Sequence, residues 1–197
     1  MASVVAELKQ GEGLVVDIAT GRGTLLERLA CELERPLAAT DVSPTVLART
    51  RTRLAGLGLG HRIAYVACDA RRLPFRAAST AALTSFLGLA NIQEPGRLLS
   101  ELRRVAGGPL LAVTHFYPRE DGENASAIRA LGLERLLYRD ALLAELAAAG
   151  WRADIRDARP ADARPTPTGV LLEGAAIDGL PVAPTVLEWC VVTGERV

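Results

Sequence analysis

Short apolar runs alternate with segments in which apolar residues recur every three or four positions, and that alternation predicts a parallel sheet with helices on both faces. Leu14 to Ile18 reads as the first strand, apolar except for Asp17. A small-residue turn follows, and then Leu25, Leu26, Leu29, Ala30 and Leu33 return at helical spacing. Residues 36–40 lead into a second strand ending at Asp41, after which Ser43-Pro44 supplies a hydroxyl N-cap and a first-turn proline for a second helix. Arg62 to Cys68 reads as the third strand, ending at Asp69, and Ala81 to Leu87 as the fourth. Pro95 opens a helix with Leu98, Leu99, Leu102 and Val105 on one side, closed by Gly107-Gly108, and Leu110 to Thr114 is the fifth strand.

Asp140 begins another helix, with Leu142, Leu143 and Leu146 facing the core and Gly150 as its cap. Trp151 to Ile155 and Thr185 to Val192 are the last two strands. No helical pattern separates them, so they are expected to pair antiparallel, because a parallel crossover needs a dozen or more residues and usually a helix. The predicted architecture is a Rossmann-like three-layer α/β sandwich around a mostly parallel seven-stranded sheet with an antiparallel last strand. Two segments lack regular periodicity, the polar 117–130 and the proline-rich 159–184, and both read as lid or insert loops.

Composition narrows this picture. A chain of 197 residues with 49% hydrophobic content is expected to form one domain with its own core. The 23 basic and 23 acidic residues balance, so no global field draws the chain to nucleic acid or to an anionic membrane. Cys31, Cys68 and Cys190 are scattered, which reads as ordinary thiols in a reducing, cytoplasmic setting rather than a disulfide framework or a metal site. The first ten residues do not form a secretory signal, and no apolar run is long enough to span a bilayer.

The chemistry concentrates at strand ends. In Asp17-Ile18-Ala19-Thr20-Gly21-Arg22-Gly23 a strand runs into a tight turn and then a helix. Small residues there let a ligand approach the backbone, and the following helix start offers free N–H groups. The spacing A-x-G-x-G departs from the G-x-G-x-x-G of dinucleotide sites, which disfavours a nicotinamide-dependent oxidoreductase. An acid inside an apolar strand is costly without a partner, so Asp17 stands out. Asp41 and Asp69, taken singly, also read as turn residues.

Taken together, Asp17, Ala19, Gly21 and Gly23, then Asp41, then Asp69 resemble the class I S-adenosylmethionine-dependent methyltransferases over nearly the whole chain. The resemblance implies S-adenosyl-L-methionine as cofactor, S-adenosyl-L-homocysteine as product, and methyl transfer by in-line displacement. It implies that Asp17 reaches the cofactor's ammonium while Ala19, Thr20, Gly21 and Gly23 cradle its methionine half. Asp41, with Val42, would take the ribose hydroxyls, and Cys68, Asp69 and Ala70 the adenine. Ser85 and Phe86 would line the reacting methyl. Ala19 replaces the usual first glycine, a change expected to be mild if φ is negative there.

Three further residues, Asn91, His115 and Tyr117, fall just past the fourth and fifth strands, where open α/β sheets bind ligands, and are candidates for the acceptor side. His115 is a candidate general base, needed only if the acceptor is protonated. Arg22 is a candidate for the cofactor carboxylate or a surface residue, and His61 reads as a surface loop residue. The absence of a basic stripe points to a small-molecule acceptor. The family commonly sets a helical lid before its first strand. Only residues 1–13 precede it here, so either the pocket is open, or the two loops or another subunit cover it, which leaves a homodimer compatible with the sequence. A non-catalytic methyltransferase-like module that binds the cofactor or a partner is the alternative reading.

Overall fold

A computed structural model describes residues 1–165 and 179–197. It contains one seven-stranded sheet in the order β3-β2-β1-β4-β5-β7-β6. The strands are β1 (Val15–Asp17), β2 (Leu37–Asp41), β3 (Ile63–Ala67), β4 (Ala82–Phe86), β5 (Leu110–Phe116), β6 (Trp151–Ala163) and β7 (Thr185–Arg196). The first five pair in parallel, while β7 runs antiparallel to both β5 and β6. This is the predicted Rossmann-like sandwich, and the order reverses between β1 and β4, where the strand ends diverge and a ligand cleft opens.

Seven α-helices accompany the strands among the described residues: α1 (Ala2–Leu8), α2 (Thr24–Glu32), α3 (Pro44–Gly56), α4 (Pro95–Val105), α5 (Gly122–Ala130), α6 (Glu134–Leu137) and α7 (Arg139–Ala148). Strand alternation splits the core into two layers. Val15, Leu37, Ala39, Leu111, Val113 and Val191 face α1, α2 and α3, whereas Val16, Ile18, Leu83, Leu110, Ala112 and Val192 face α4 and α7. Each central strand is therefore buried on both sides, which is why its sequence is almost continuously apolar. Ser43 caps α3 as expected, its Oγ accepting from the Val46 N–H at 3.3 Å. None of the helices among the described residues is long and apolar enough to cross a membrane.

Two loop expectations need correction, and the N-terminus adds an element that the sequence pattern does not predict. The 117–130 segment is not a loop: its 122–130 portion is α5, anchored by Ile128 and by a fully buried Asn124 rather than by an apolar stripe. The N-terminal residues form α1, whose Val4, Val5 and Leu8 are buried against the α2 side of the sheet. The 159–184 segment is strand as far as Ala163, because β6 continues past its bulge between Arg156 and Arg159 as a solvent-exposed edge paired to β7. The remainder of that loop expectation falls largely on residues 166–178, outside the described residues.

Asn124 fastens α5 to the segment before β7. Its Nδ2 donates to the Ala183 carbonyl at 3.0 Å and to Asp121 Oδ2 at 2.8 Å. Its Oδ1 accepts from the N–H groups of Val182 at 2.7 Å and Ala183 at 3.2 Å. Removing the amide leaves part-buried backbone groups of Val182 and Ala183 without these partners, at about 1 kcal/mol each. Asn124→Ala is therefore expected to lower the unfolding free energy by about 3 kcal/mol, read as a lower urea midpoint with an unchanged slope.

Candidate active site

The site grows from the turn after β1. Gly21 and Gly23 adopt left-handed backbone, with φ of 52° and 72°. Gly23 is the N-cap of α2, and a Cβ there would stand 2.7 Å from Thr50 Cγ2, so both conformation and space call for glycine. Ala19 is left-handed too, at φ 50°. The expectation of a negative φ at this residue is overturned: the tight turn sets the backbone and the alanine methyl accepts strain of order 1 kcal/mol.

Neighbouring elements hold this turn in place. The Gly21 N–H donates to Asp41 Oδ2 at 3.0 Å, and the Ser43 N–H donates to Asp41 Oδ1 at 3.0 Å. From α3, Thr50 Oγ1 donates to the Gly21 carbonyl at 2.7 Å and Arg53 Nη2 to the Arg22 carbonyl at 2.8 Å. The β4 end closes on the same place. A Cβ at Gly88 would lie 2.6 Å from Ala19 Cβ and 2.7 Å from the Ala19 carbonyl oxygen. The acceptor-side loop and the turn after β1 are thus in direct contact.

Asp17 is 2% exposed. Its carboxyl accepts from Thr84 Oγ1 at 2.8 Å, and its backbone carbonyl accepts from the hydroxyls of Thr20 at 3.1 Å and Thr40 at 2.9 Å. No basic side chain among the described residues pairs with it, and burial raises its pKa to about 7 against the help of Thr84. Thr84 is not among the residues expected from the sequence, although a threonine in the middle of an apolar strand is a visible signal.

The other predicted cofactor residues fall around this centre with unequal access. Val42 is exposed at the end of β2, and Cys68 and Ala70 are half-buried past β3. Asp69 is held by Arg71, whose Nε lies 3.0 Å from Oδ1 and whose Nη2 lies 2.8 Å from Oδ2. That guanidinium keeps the Asp69 carboxyl below the ordinary range. Arg71 also pairs with Glu94 at the start of α4, so it bridges two loops at the mouth of the cleft. Ser85 is fully buried and donates to the Ile18 carbonyl at 2.9 Å, which fixes β4 to β1 instead of presenting a hydroxyl to the cleft. Phe86, on the opposite face, is half-buried.

On the acceptor side, His115 and Tyr117 come together with ring centroids 5.5 Å apart, and Trp189 of β7 stands 5.1 Å from His115 and 6.3 Å from Phe86. Both His115 ring nitrogens and the Tyr117 hydroxyl are buried without hydrogen-bond partners among the described residues. Burial lowers the His115 pKa to about 4 and raises that of Tyr117. Beside them, between the start of α1 and the ends of β4, β5 and β7, lies a cavity of about 640 Å³ whose wall includes Phe86, Val113, Trp189 and Val191. Nothing local in the sequence marks Trp189, because only the pairing of β7 with β5 brings it opposite His115. Asn91 sits in a short turn after β4, its amide donating to the Leu87 carbonyl at 3.4 Å. His61 is an exposed residue of a 3₁₀ turn, as expected.

Comparison with known proteins agrees with this geometry. The sequence model of a methyltransferase domain family matches residues 15–107. A demethylmenaquinone methyltransferase of Clavibacter sepedonicus is 41% identical over 91 residues, which are 46% of this chain and 36% of that protein. A ubiquinone/menaquinone biosynthesis C-methyltransferase UbiE of Xylella fastidiosa is 32% identical over 147 residues, 69% of this chain and 57% of that protein. The chain thus matches roughly a third to just over half of the length of these curated relatives. The crystal structure of YcgJ from Bacillus subtilis superposes with a TM-score of 0.77 at 16% identity, covering 100% of this chain and 97% of that one, which shows the shared fold. Residues 15–107 thus match the methyltransferase domain family, and the chain as a whole has the fold of the class I S-adenosylmethionine-dependent methyltransferases.

Proposed function

We propose that the chain binds S-adenosylmethionine across the ends of β1, β2 and β3 and catalyses methyl transfer to a small-molecule acceptor. The observation that carries this reading is the buried Asp17 carboxyl, which lacks a counter-charge beside a turn of left-handed, small residues. A ligand ammonium supplies that charge, and the turn leaves room for the chain attached to it. Asp41 still has lone pairs for the two ribose hydroxyls beyond the two backbone N–H groups it accepts, with Val42 alongside. Asp69 offers the adenine amine an acceptor whose ionised form Arg71 maintains, flanked by Cys68 and Ala70. Ala19, Thr20, Gly21 and Gly23 form the cradle, and Phe86, backed by Ser85, borders the methyl position.

When bound, the cofactor supplies an electrophilic methyl on a sulfonium whose leaving group is already activated. The protein's task is then to orient the acceptor and to exclude water. His115 is uncharged at neutral pH and can accept a hydrogen bond from a bound acceptor, but its low pKa makes it an effective base only toward an acceptor that is already acidic. Asn91 and Tyr117 complete the acceptor side. A cofactor-binding module without catalysis is the second reading, favoured by the sealing of the His115 nitrogens away from solvent.

The direct test is the melting temperature with S-adenosylmethionine, S-adenosylhomocysteine or NAD(H) added separately. Either sulfur ligand at a hundred times its dissociation constant should stabilise the fold by about 2.7 kcal/mol, and Asp41→Ala should abolish the shift. A flat response to both, or a rise with NAD(H) alone, defeats the proposal. Radiolabelled methyl transfer to an acceptor panel then separates catalysis from simple binding.

The charge state of Asp17 yields a second prediction. Its folded pKa lies above the unfolded carboxylate value, so the folded state holds a proton that the unfolded chain has released between about pH 4 and pH 7. Stability of the ligand-free protein should therefore fall as pH rises through that window, by roughly 3–4 kcal/mol at 1.4 kcal/mol per unit. Asp17→Asn should remove this slope and be the more stable protein at pH 8, while binding S-adenosylmethionine at least tenfold more weakly. Urea unfolding at a series of pH values, with calorimetry of cofactor binding, checks both signs.

A further inference from the structure

The cavity beside the start of α1 meets the proposed cofactor residues only at Phe86, and the polar cluster next to it is not among them. We infer that cavity and cluster together form the acceptor pocket, and that it takes an uncharged, largely apolar molecule carrying a hydroxyl group held between His115 and Tyr117. The inference rests on the methyltransferase reading above and adds the chemical class of the acceptor.

Position comes first. Val113 and His115 lie two residues apart on β5, and Val113, Phe86, Trp189 and Val191 pack on the same face of the sheet. The cavity is therefore floored by the ends of β4, β5 and β7, and His115 stands one step further along the same strand face. Trp189 lines the cavity and also touches His115, with ring centroids 5.1 Å apart. Its indole is the shared wall between the apolar space and the polar pair.

Polarity comes second. His115 is 7% exposed and Tyr117 5%, yet neither His115 nitrogen nor the Tyr117 hydroxyl has a partner among the described residues. Buried polar atoms are nearly always hydrogen-bonded, and three orphaned atoms side by side are three places for a ligand to bond. A neutral histidine has one donor and one acceptor nitrogen, and a phenol can both donate and accept. One hydroxyl group can donate to the unprotonated nitrogen of His115 and accept from Tyr117 at the same time. Neither a carboxylate nor an ammonium can do both.

Charge comes third. Burial disfavours the ionised forms of His115 and Tyr117, so the inner end of the site presents no formal charge. The ionic residues that line the cavity, Asp157 and Arg159 on β6, are exposed at its rim and opposite in sign. Met1, also exposed, adds its amino group at the rim, where solvent screens all three charges, and the remaining wall is mainly apolar.

The test uses calorimetry on the whole chain, with and without saturating S-adenosylhomocysteine, and four probes: 1-naphthol, naphthalene, 1-naphthoate and 1-naphthylmethylammonium. The expected result is that 1-naphthol binds at least ten times more tightly than the other three. His115→Phe and Tyr117→Phe should each remove most of that advantage while leaving naphthalene and S-adenosylhomocysteine binding within twofold. Retained naphthalene binding also shows that the variants keep the pocket. Tighter binding of either charged probe, a 1-naphthol preference that survives both variants, or no binding of any probe overturns the inference. Failure of S-adenosylhomocysteine alone to bind strikes the cofactor reading instead, and the ratio of 1-naphthol to naphthalene in the ligand-free protein still decides the pocket.

Discussion

The structure is organised around a carboxyl group that the protein buries without a counter-charge. Asp17 ends the central strand, and the groups that reach it are hydroxyls: Thr84 at the carboxyl, Thr20 and Thr40 at the carbonyl of the same residue. Hydroxyls satisfy hydrogen bonds but cannot neutralise charge, so the ligand-free fold carries an electrostatic cost that a cation removes. The surrounding parts keep that arrangement from relaxing. β1 lies between β2 and β4, the turn after it is stitched to Asp41, and α3 grips the turn carbonyls through Thr50 and Arg53. A site of this kind trades some stability of the ligand-free protein for affinity toward a positively charged ligand.

Much of this is legible in the amino-acid sequence, for a physical reason. Strands buried on both faces must be apolar throughout, so an acid that ends one is conspicuous, and Asp17, Asp41 and Asp69 mark the three strand ends in order. The glycine turn is legible because only small residues tolerate its crowding. The features that stay hidden depend on long-range packing. The exposed length of β6 past Arg156 has charges and a proline in place of alternating apolar residues, and its strand character comes wholly from pairing with β7. Helix α5 is held by a polar anchor, Asn124, whose partners lie some sixty residues away in sequence. The left-handed backbone of Ala19 belongs to the tight turn packed against Gly88 of the β4 loop, which no local rule about alanine conveys.

The candidate site divides in the same way. The residues proposed for the cofactor follow a linear pattern of strand ends, which is why the sequence brings them together on paper. The acceptor side is built by the antiparallel return of β7, which sets Trp189 opposite His115 after a stretch of more than seventy residues. His115 and Tyr117 are visible in the sequence as polar residues past a strand. Their burial, their lack of partners and the aromatic wall between them and the cavity exist only in three dimensions. Contact between Gly88 and Ala19 joins the two halves, so a shift of the acceptor loop bears on the turn that meets the cofactor.

The free edge of β6 has a consequence for how the protein behaves in a crowded solution. A long strand with one unpaired side is a template onto which any extended chain can add, and such templates seed aggregation. Here the edge carries Arg152, Asp154, Arg156, Asp157 and Arg159 in close succession, is broken by a bulge, and has Pro160 where an N–H would otherwise be available. A like edge from a second molecule would bring charge against charge and meet a kinked backbone with a missing donor. The irregularities that hide this strand from sequence reading are the same features that discourage one molecule's sheet from continuing into the next.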